Sequence, residues 1–390
     1  MESYRIELFF IALAAALAPF LAQLPNRFRL PIVAVELLLG IFIGPHILNL
    51  VNADGLVGTM GELGLTFLLF MVGLEINFNE IRGKPLALAV GGWFLSLTVA
   101  MVFMFIANSL GLIKTPLLAA VALSTTALGV LAPILRDKGI LETKFGKLLL
   151  SAAAIGELGP LVAISFLIIP EHSPVLHTLF MIIFAGIILL SAYTATQVRS
   201  SKIIDLLAQT MQSSGQLPVR ICIVLQTLLV VLAAEFGFNV VIGAFAAGMV
   251  VSLASTGEGG AMLRQKLDAI GYGFLIPFFF IVAGMKFDLS ALWASPLVPV
   301  QIICLLVLLI LVRGAPVLLY NRVLCANHKL PFALYSATGL PLIVIITELG
   351  ISSGLMAADK GAVLVCTGMI SVFLFPILAE NLLPKNNDKL

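Results

Sequence analysis

Glu157 is the only charged residue between Leu148 and Pro170, with Lys147 and Glu171 closing that apolar run. About 20 apolar residues cross a bilayer core, so the run puts Glu157 near the midplane. An ionised carboxylate there is costly unless it meets water, a cation or a partner charge, and intramembrane acids mark ion or proton sites. The bland alternative is a protonated Glu hydrogen-bonded between helices. Arg313 stands equally isolated far downstream. A third group is Ser124-Thr125-Thr126, whose hydroxyls can replace part of the hydration shell of a hard monovalent cation. A carboxylate, a guanidinium and a hydroxyl cluster inside apolar segments point to ion handling, with no sign of enzymatic catalysis.

The elements that must hold these groups are membrane helices. Hydrophobic residues make up 61% of the 390-residue chain and charged ones 11%, against about 25% charged in soluble domains. The chain is therefore expected to be an all-α polytopic membrane protein whose first partner is the lipid bilayer. Its net charge of +2 is not concentrated on any segment, and no nucleic-acid partner is expected. Cys222, Cys304, Cys325 and Cys366 show no paired spacing, and His46, His172, His177 and His328 fall near span ends without a ligand-like pair. Residues 8–24 resemble a signal peptide in hydropathy, but Glu2 and Glu7 outnumber Arg5 before them, so the segment reads as a retained span.

Thirteen spans are predicted, at 7–24, 30–48, 57–74, 86–110, 116–135, 147–169, 175–197, 218–234, 238–253, 269–285, 297–320, 331–350 and 361–383. With the N-terminus outside, 17 of the 22 Lys and Arg residues fall on the inner side. Only Arg5, Lys114, Lys286 and Lys360 fall outside, while Arg313 stays within the membrane. That bias fits the positive-inside rule and puts the C-terminus in the cytoplasm. No soluble nucleotide-binding or regulatory domain is expected after the last span.

Two spans share a polar, helix-weakening centre: Ser124-Thr125-Thr126-Ala127-Leu128-Gly129 in the fifth and Ser336-Ala337-Thr338-Gly339-Leu340-Pro341 in the twelfth. Upstream, Phe70-Met71-Val72-Gly73-Leu74-Glu75 resembles Ile281-Val282-Ala283-Gly284-Met285-Lys286. Gly73 precedes Ser124 by 51 residues and Gly284 precedes Ser336 by 52. The two units begin on opposite membrane faces, which predicts an inverted repeat with interrupted helices, as in many secondary transporters. Residues 1–170 form the first half, 171–215 a linker span and loop, and 216–390 the second half. In repeat register Glu157 matches Met369 and Arg313 matches Met101. Each half thus supplies one buried charge that the other lacks.

Several segments, in this order, resemble the second monovalent cation:proton antiporter family, the Kef-type and NhaA-fold sodium or potassium exchangers. They are Glu36-Leu37-Leu38-Leu39-Gly40-Ile41-Phe42-Ile43-Gly44-Pro45, Gly64-Leu65 with Phe70 to Glu75, Ala122 to Ala127, Gly243 to Met249, and Pro277 to Met285. The resemblance covers essentially the whole chain. It implies an NhaA-like fold of about 13 transmembrane helices with two crossed, interrupted helices. Spans five, six, eleven, twelve and thirteen would be the moving core, and the rest a scaffold that forms a homodimer. Members carry a pair in span six, Asp-Asp, Gln-Asp or Asn-Asp, whose second residue exchanges cation for proton. Here the pair reads Gly156-Glu157. A Lys or Arg in the eleventh span matches Arg313.

The resulting expectation is a secondary antiporter that exchanges Na+ or K+ for H+ by alternating access, electroneutrally, in a bacterial inner membrane. Glu157 would exchange cation and proton, with Ser124, Thr125, Thr126, Gly156 and Thr338 around the cation and Arg313 balancing charge. Glu348 is an accessory candidate as a partner of Arg313, beside Glu157 and the dipole ends of the broken helices. No cofactor is expected beyond the transported ions. A cation-coupled symporter of a small organic solute, or a non-transporting receptor on the same fold, are the alternatives.

Overall fold

A computed structural model describes residues 3–23, 30–76, 83–167, 174–197, 210, 213, 215–255, 257–287 and 296–383. The inner-loop residues Arg27, Arg29, Arg82, Arg199, Lys202, Lys385 and Lys389, and His172, lie outside them. In chain order the helices are α1 (Ser3–Gln23), α2 (Ile32–Ile43), α3 (Gly55–Glu75), α4 (Lys84–Ser109), α5 (Pro116–Leu123), α6 (Leu128–Asp137), α7 (Lys144–Leu167) and α8 (Pro174–Gln197). They continue with α9 (Leu217–Glu235), α10 (Val240–Ala254), α11 (Gly257–Ile270), α12 (Ile276–Met285), α13 (Val298–Gly314), α14 (Ala326–Ser336), α15 (Pro341–Ser352) and α16 (Ala358–Leu382). A π-helical turn, Gly271–Leu275, joins α11 to α12, and a 3-10 turn, Ala315–Tyr320, follows α13.

Among the described residues, ten helical stretches are long and apolar enough to cross a membrane. Three shorter apolar helices, Ile32–Ile43, Leu179–Thr194 and Val240–Ala254, lie where spans two, seven and nine are expected. Large apolar side chains such as Phe9, Phe20, Leu110, Leu189 and Leu318 are exposed, as suits helices whose outer solvent is lipid. The chain is an integral membrane protein.

Both predicted interruptions are present. The first runs from Ser124 to Ala127, between α5 and α6, and the second from Ala337 to Leu340, between α14 and α15. The local causes differ. Ser and Thr hydroxyls compete for backbone partners and weaken helix; Ser124 Oγ donates to Val121 O at 2.9 Å and Thr125 Oγ1 to Ala122 O at 2.8 Å. In the second break Pro341 has no N–H and steers its predecessor away from helix, and Leu340 stands at φ −144°, ψ −57°. The stretches holding the breaks are the most enclosed of the candidate spans, 83% buried at Pro116–Arg136 and 89% at Ala326–Ile351. That placement follows from physics, because unwound backbone at membrane depth must face protein or water.

The chain divides into two compact units. One comprises Met1–Gly58, Ile81–Ile168 and Phe280–Leu390, and the other Thr59–Glu80 and Ile169–Phe279. The first holds both breaks and every candidate site residue. Within the second, Gly73 and Gly248 let α3 and α10 approach backbone to backbone: a Cβ on Gly73 would meet Met249 N at 3.0 Å, and one on Gly248 would meet Leu74 N at 2.8 Å. An aromatic cluster of Phe180, Phe184, Phe236 and Phe238 packs α8 against the α9–α10 corner. The glycine motifs quoted above are thus, in this unit, helix-packing devices.

Candidate functional site

The site is built where the two breaks meet. Ala127 N–H donates to Thr338 O at 2.8 Å, and Thr126 Oγ1 donates to Ser336 O at 2.6 Å, so each break satisfies backbone groups left by the other. The third element is α7. Pro160 lies inside this helix and has no N–H to offer the carbonyl four residues earlier. That carbonyl belongs to Gly156, and it accepts Thr126 N–H instead, at 3.1 Å. From α16, Ser371 Oγ lies 3.2 Å from Gly339 N, which donates to it. The unwound chain is therefore held from two further helices.

Glu157 follows Gly156 and reaches the start of α6. Its Oε2 accepts the N–H of Leu128, the first residue of that helix, at 2.9 Å. A helix N-terminus carries about half a positive charge, so the carboxylate sits against a positive dipole end. Arg313 meets the opposite pole: its Nε donates to the carbonyl of Ser336, the last residue of α14, at 3.3 Å. Its Nη1 lies 3.2 Å from Ser96 Oγ, which itself donates to Val312 O at 2.9 Å. Each buried charge is thus matched to the end of a different broken helix.

Of the three partners expected for Arg313, the structure brings it to the helix dipole. Glu348 lies elsewhere: it is exposed and pairs with Lys286 at 3.0 Å. Ser124, Thr125, Thr126, Glu157 and Thr338 are each at most 1% exposed, and Arg313 is 3% exposed. The Ser124, Thr125 and Thr126 hydroxyls give their protons to carbonyls and keep oxygen lone pairs available to a cation. Gly156 is small for a steric reason: a Cβ there would lie 2.7 Å from Arg313 Nη2 and 2.9 Å from Thr126 Oγ1. The guanidinium occupies the space that a side chain at this position would need.

Sequence reasoning missed Ser96, Tyr320, Trp93 and Ser371, and named Ser336 only as part of the second break. Ser96 is a lone hydroxyl in the apolar run of α4, a weak signal in itself. Tyr320 OH, Trp93 Nε1 and Ser336 Oγ are buried without a hydrogen-bond partner among the described residues. Buried polar atoms of this kind are the usual binding points of internal water.

Two expected results follow from this geometry. Gly156→Ala forces the guanidinium or Thr126 aside, and overpacking of this kind costs about 1–3 kcal/mol; thermal unfolding in detergent checks it as a lowered midpoint. Thr126→Ala removes both a site oxygen and the bridge to Ser336, whereas Ser124→Ala leaves that bridge intact. Both are expected to weaken apparent cation affinity more than saturated turnover, Thr126→Ala the more severely. Wild-type concentration dependence in both, for every alkali ion, would move coordination elsewhere.

The fold and site define an all-helical membrane protein with an enclosed, charge-bearing site where two interrupted helices meet. A family model described as "Sodium/hydrogen exchanger, transmembrane" matches residues 12–383, and the chain belongs to that family. It is 30% identical over 397 residues to a Bacillus subtilis (strain 168) protein named "Putative Na(+)/H(+) antiporter YjbQ", covering 95% of this chain and 62% of the relative. The chain therefore spans less than two thirds of that relative's length. It is also 23% identical over 386 residues to the Na(+)/H(+) antiporter of Enterococcus hirae, with 92% and 93% covered. Among solved structures, the sodium proton antiporter MjNhaP1 from Methanocaldococcus jannaschii at pH 8 superposes with a TM-score of 0.66. That match covers 97% of this chain and 96% of the other at 16% identity, a likeness of fold.

Proposed function

We propose that the chain exchanges a monovalent cation, Na+ or K+, for protons across a membrane by alternating access, with Glu157 as the shared site. The observation that carries this reading is Glu157 itself: 1% exposed and seated on the N-terminus of α6, the helix that follows the first break. A bound cation disfavours the proton on the carboxylate, and a protonated carboxyl no longer holds the cation. Competition for one group couples the two fluxes. Because the group is enclosed, each ion enters only when the surrounding helices open to one side. The names of the relatives support antiport over solute symport or reception.

With one carboxylate at the centre, exchange is one proton per cation and electroneutral. The matched breaks, at nearly equal distances from the two glycine motifs, support reading residues 1–170 and 216–390 as inverted repeats of an NhaA-like fold. The motif run from Glu36 to Pro45 supports a place among the Kef-type members. By the same resemblance the chain works as a homodimer in a bacterial inner membrane, and the Lys and Arg bias supports a cytoplasmic C-terminus. The test is dissipation of an imposed pH gradient in proteoliposomes, with each alkali cation added in turn. Dissipation by Na+ or K+ without any organic cosubstrate is expected. Dependence on an organic solute would favour a symporter, and absence of flux with every cation would leave no antiporter.

A further inference from the structure

One carboxylate outside the site also lies inside the apolar bundle. Glu36, in α2, is 5% exposed, and it is the only charged residue of that helix. One turn onward Gly40 sets its backbone directly against the carbonyl of Ile281 in α12. Gly284 of α12 approaches the backbone of α2 in return, with its Cβ position 3.1 Å from Gly40 Cα and from Ile41 N. Farther along, a Cβ on Gly44 would meet Met285 Cα at 3.0 Å. This seam is backbone on backbone and leaves no room for an intervening side chain. On the other flank, Val35 packs with Ala18 and Ala22 of α1.

Among the described residues, the neighbouring elements offer Glu36 no charge. Arg5 and Glu7 stand near the start of α1, whose opposite end reaches Val35. No titratable residue lies within α12, and Lys286 follows its last residue. In α16, Asp359 and Lys360 occupy the first turn, Cys366 lies farther in, and Glu380 is near the end, where it pairs with Lys138. Among the described residues, none of these makes a hydrogen bond or ion pair with Glu36. An ionised carboxylate in such surroundings finds no partner among the described residues and little solvent, whereas a neutral acid avoids that desolvation.

We propose that Glu36 is a second proton-binding group, distinct from Glu157, which carries its proton while α2 and α12 are packed as here. Ionisation breaks the acid O–H bond and passes the proton to water, so the seam must first admit water. The packing of α2 on α12 then responds to pH independently of ion exchange at Glu157. The inference rests on the burial of Glu36 and holds whichever ion is transported.

Infrared spectroscopy of the full chain in an ester-free detergent tests it, since ordinary surface carboxyls are ionised near neutral pH. In Glu157→Gln, a protonated carboxylic acid C=O band that shifts in D2O is expected at neutral pH. Adding Glu36→Gln should remove intensity from that band. If the double variant fails to fold, Glu36→Asp in the Glu157→Gln background should displace the band without abolishing it. Absence of the band in Glu157→Gln overturns the proposal. So does a band that neither Glu36 substitution alters.

Discussion

Glu157→Gln is expected to abolish cation-driven proton movement while leaving a folded protein. The amide oxygen can still accept the Leu128 N–H that Glu157 Oε2 accepts at 2.9 Å, so the cap of α6 survives. The uncharged amide cannot alternate between proton and cation, and this difference accounts for the loss. Flux in proteoliposomes should fall to the protein-free background. Glu157→Asp keeps the titratable group but shortens it by one methylene. Partial activity with altered cation affinity is expected for it, measured as the concentration giving half-maximal gradient dissipation.

Arg313→Ala is expected to have the largest effect on stability. The guanidinium is always charged, and it joins α13 to the end of α14 through Ser336 O and to α4 through Ser96 Oγ. Hydrogen bonds to charged groups contribute about 1.5–3 kcal/mol each, and a buried truncation adds a cavity cost, so a loss of about 3 kcal/mol is expected. Removing this positive charge from the dipole end of α14 also changes the field around the breaks. The pH profile of exchange should therefore shift with the unfolding midpoint. Arg313→Lys keeps the charge but loses the planar fork, and it should restore stability only in part. Wild-type stability and an unmoved profile in Arg313→Ala would remove Arg313 from charge balance.

Much of this arrangement was legible in the sequence because lipid punishes stray polarity. A lone Glu157 and a lone Arg313 in apolar runs stand out, and so do two Ser-x-Thr segments with a glycine or proline behind them. The two interruptions lie at those segments. What the sequence withheld was pairing. Ser96 lies 217 residues from the Arg313 it contacts, and a single serine in an apolar helix gives no hint of its partner. The dipole solution to Arg313 also depends on where α14 ends, which one missing helical turn would change. One link was available and overlooked: Pro160 frees the carbonyl of Gly156, four residues back, for a bond outside its own helix. Glu348 misled because a carboxylate near a span end reads alike whether it turns inward or pairs at the surface with Lys286.

If cation and proton compete for one carboxylate, cation binding must release a proton. Purified protein in weakly buffered detergent is titrated with NaCl or KCl, with choline chloride as control, while the pH is followed. Release of about one proton per chain is expected at saturation with the transported ion, and none from Glu157→Gln. Cation binding without proton release in the native chain, or equal release from Glu157→Gln, would contradict it.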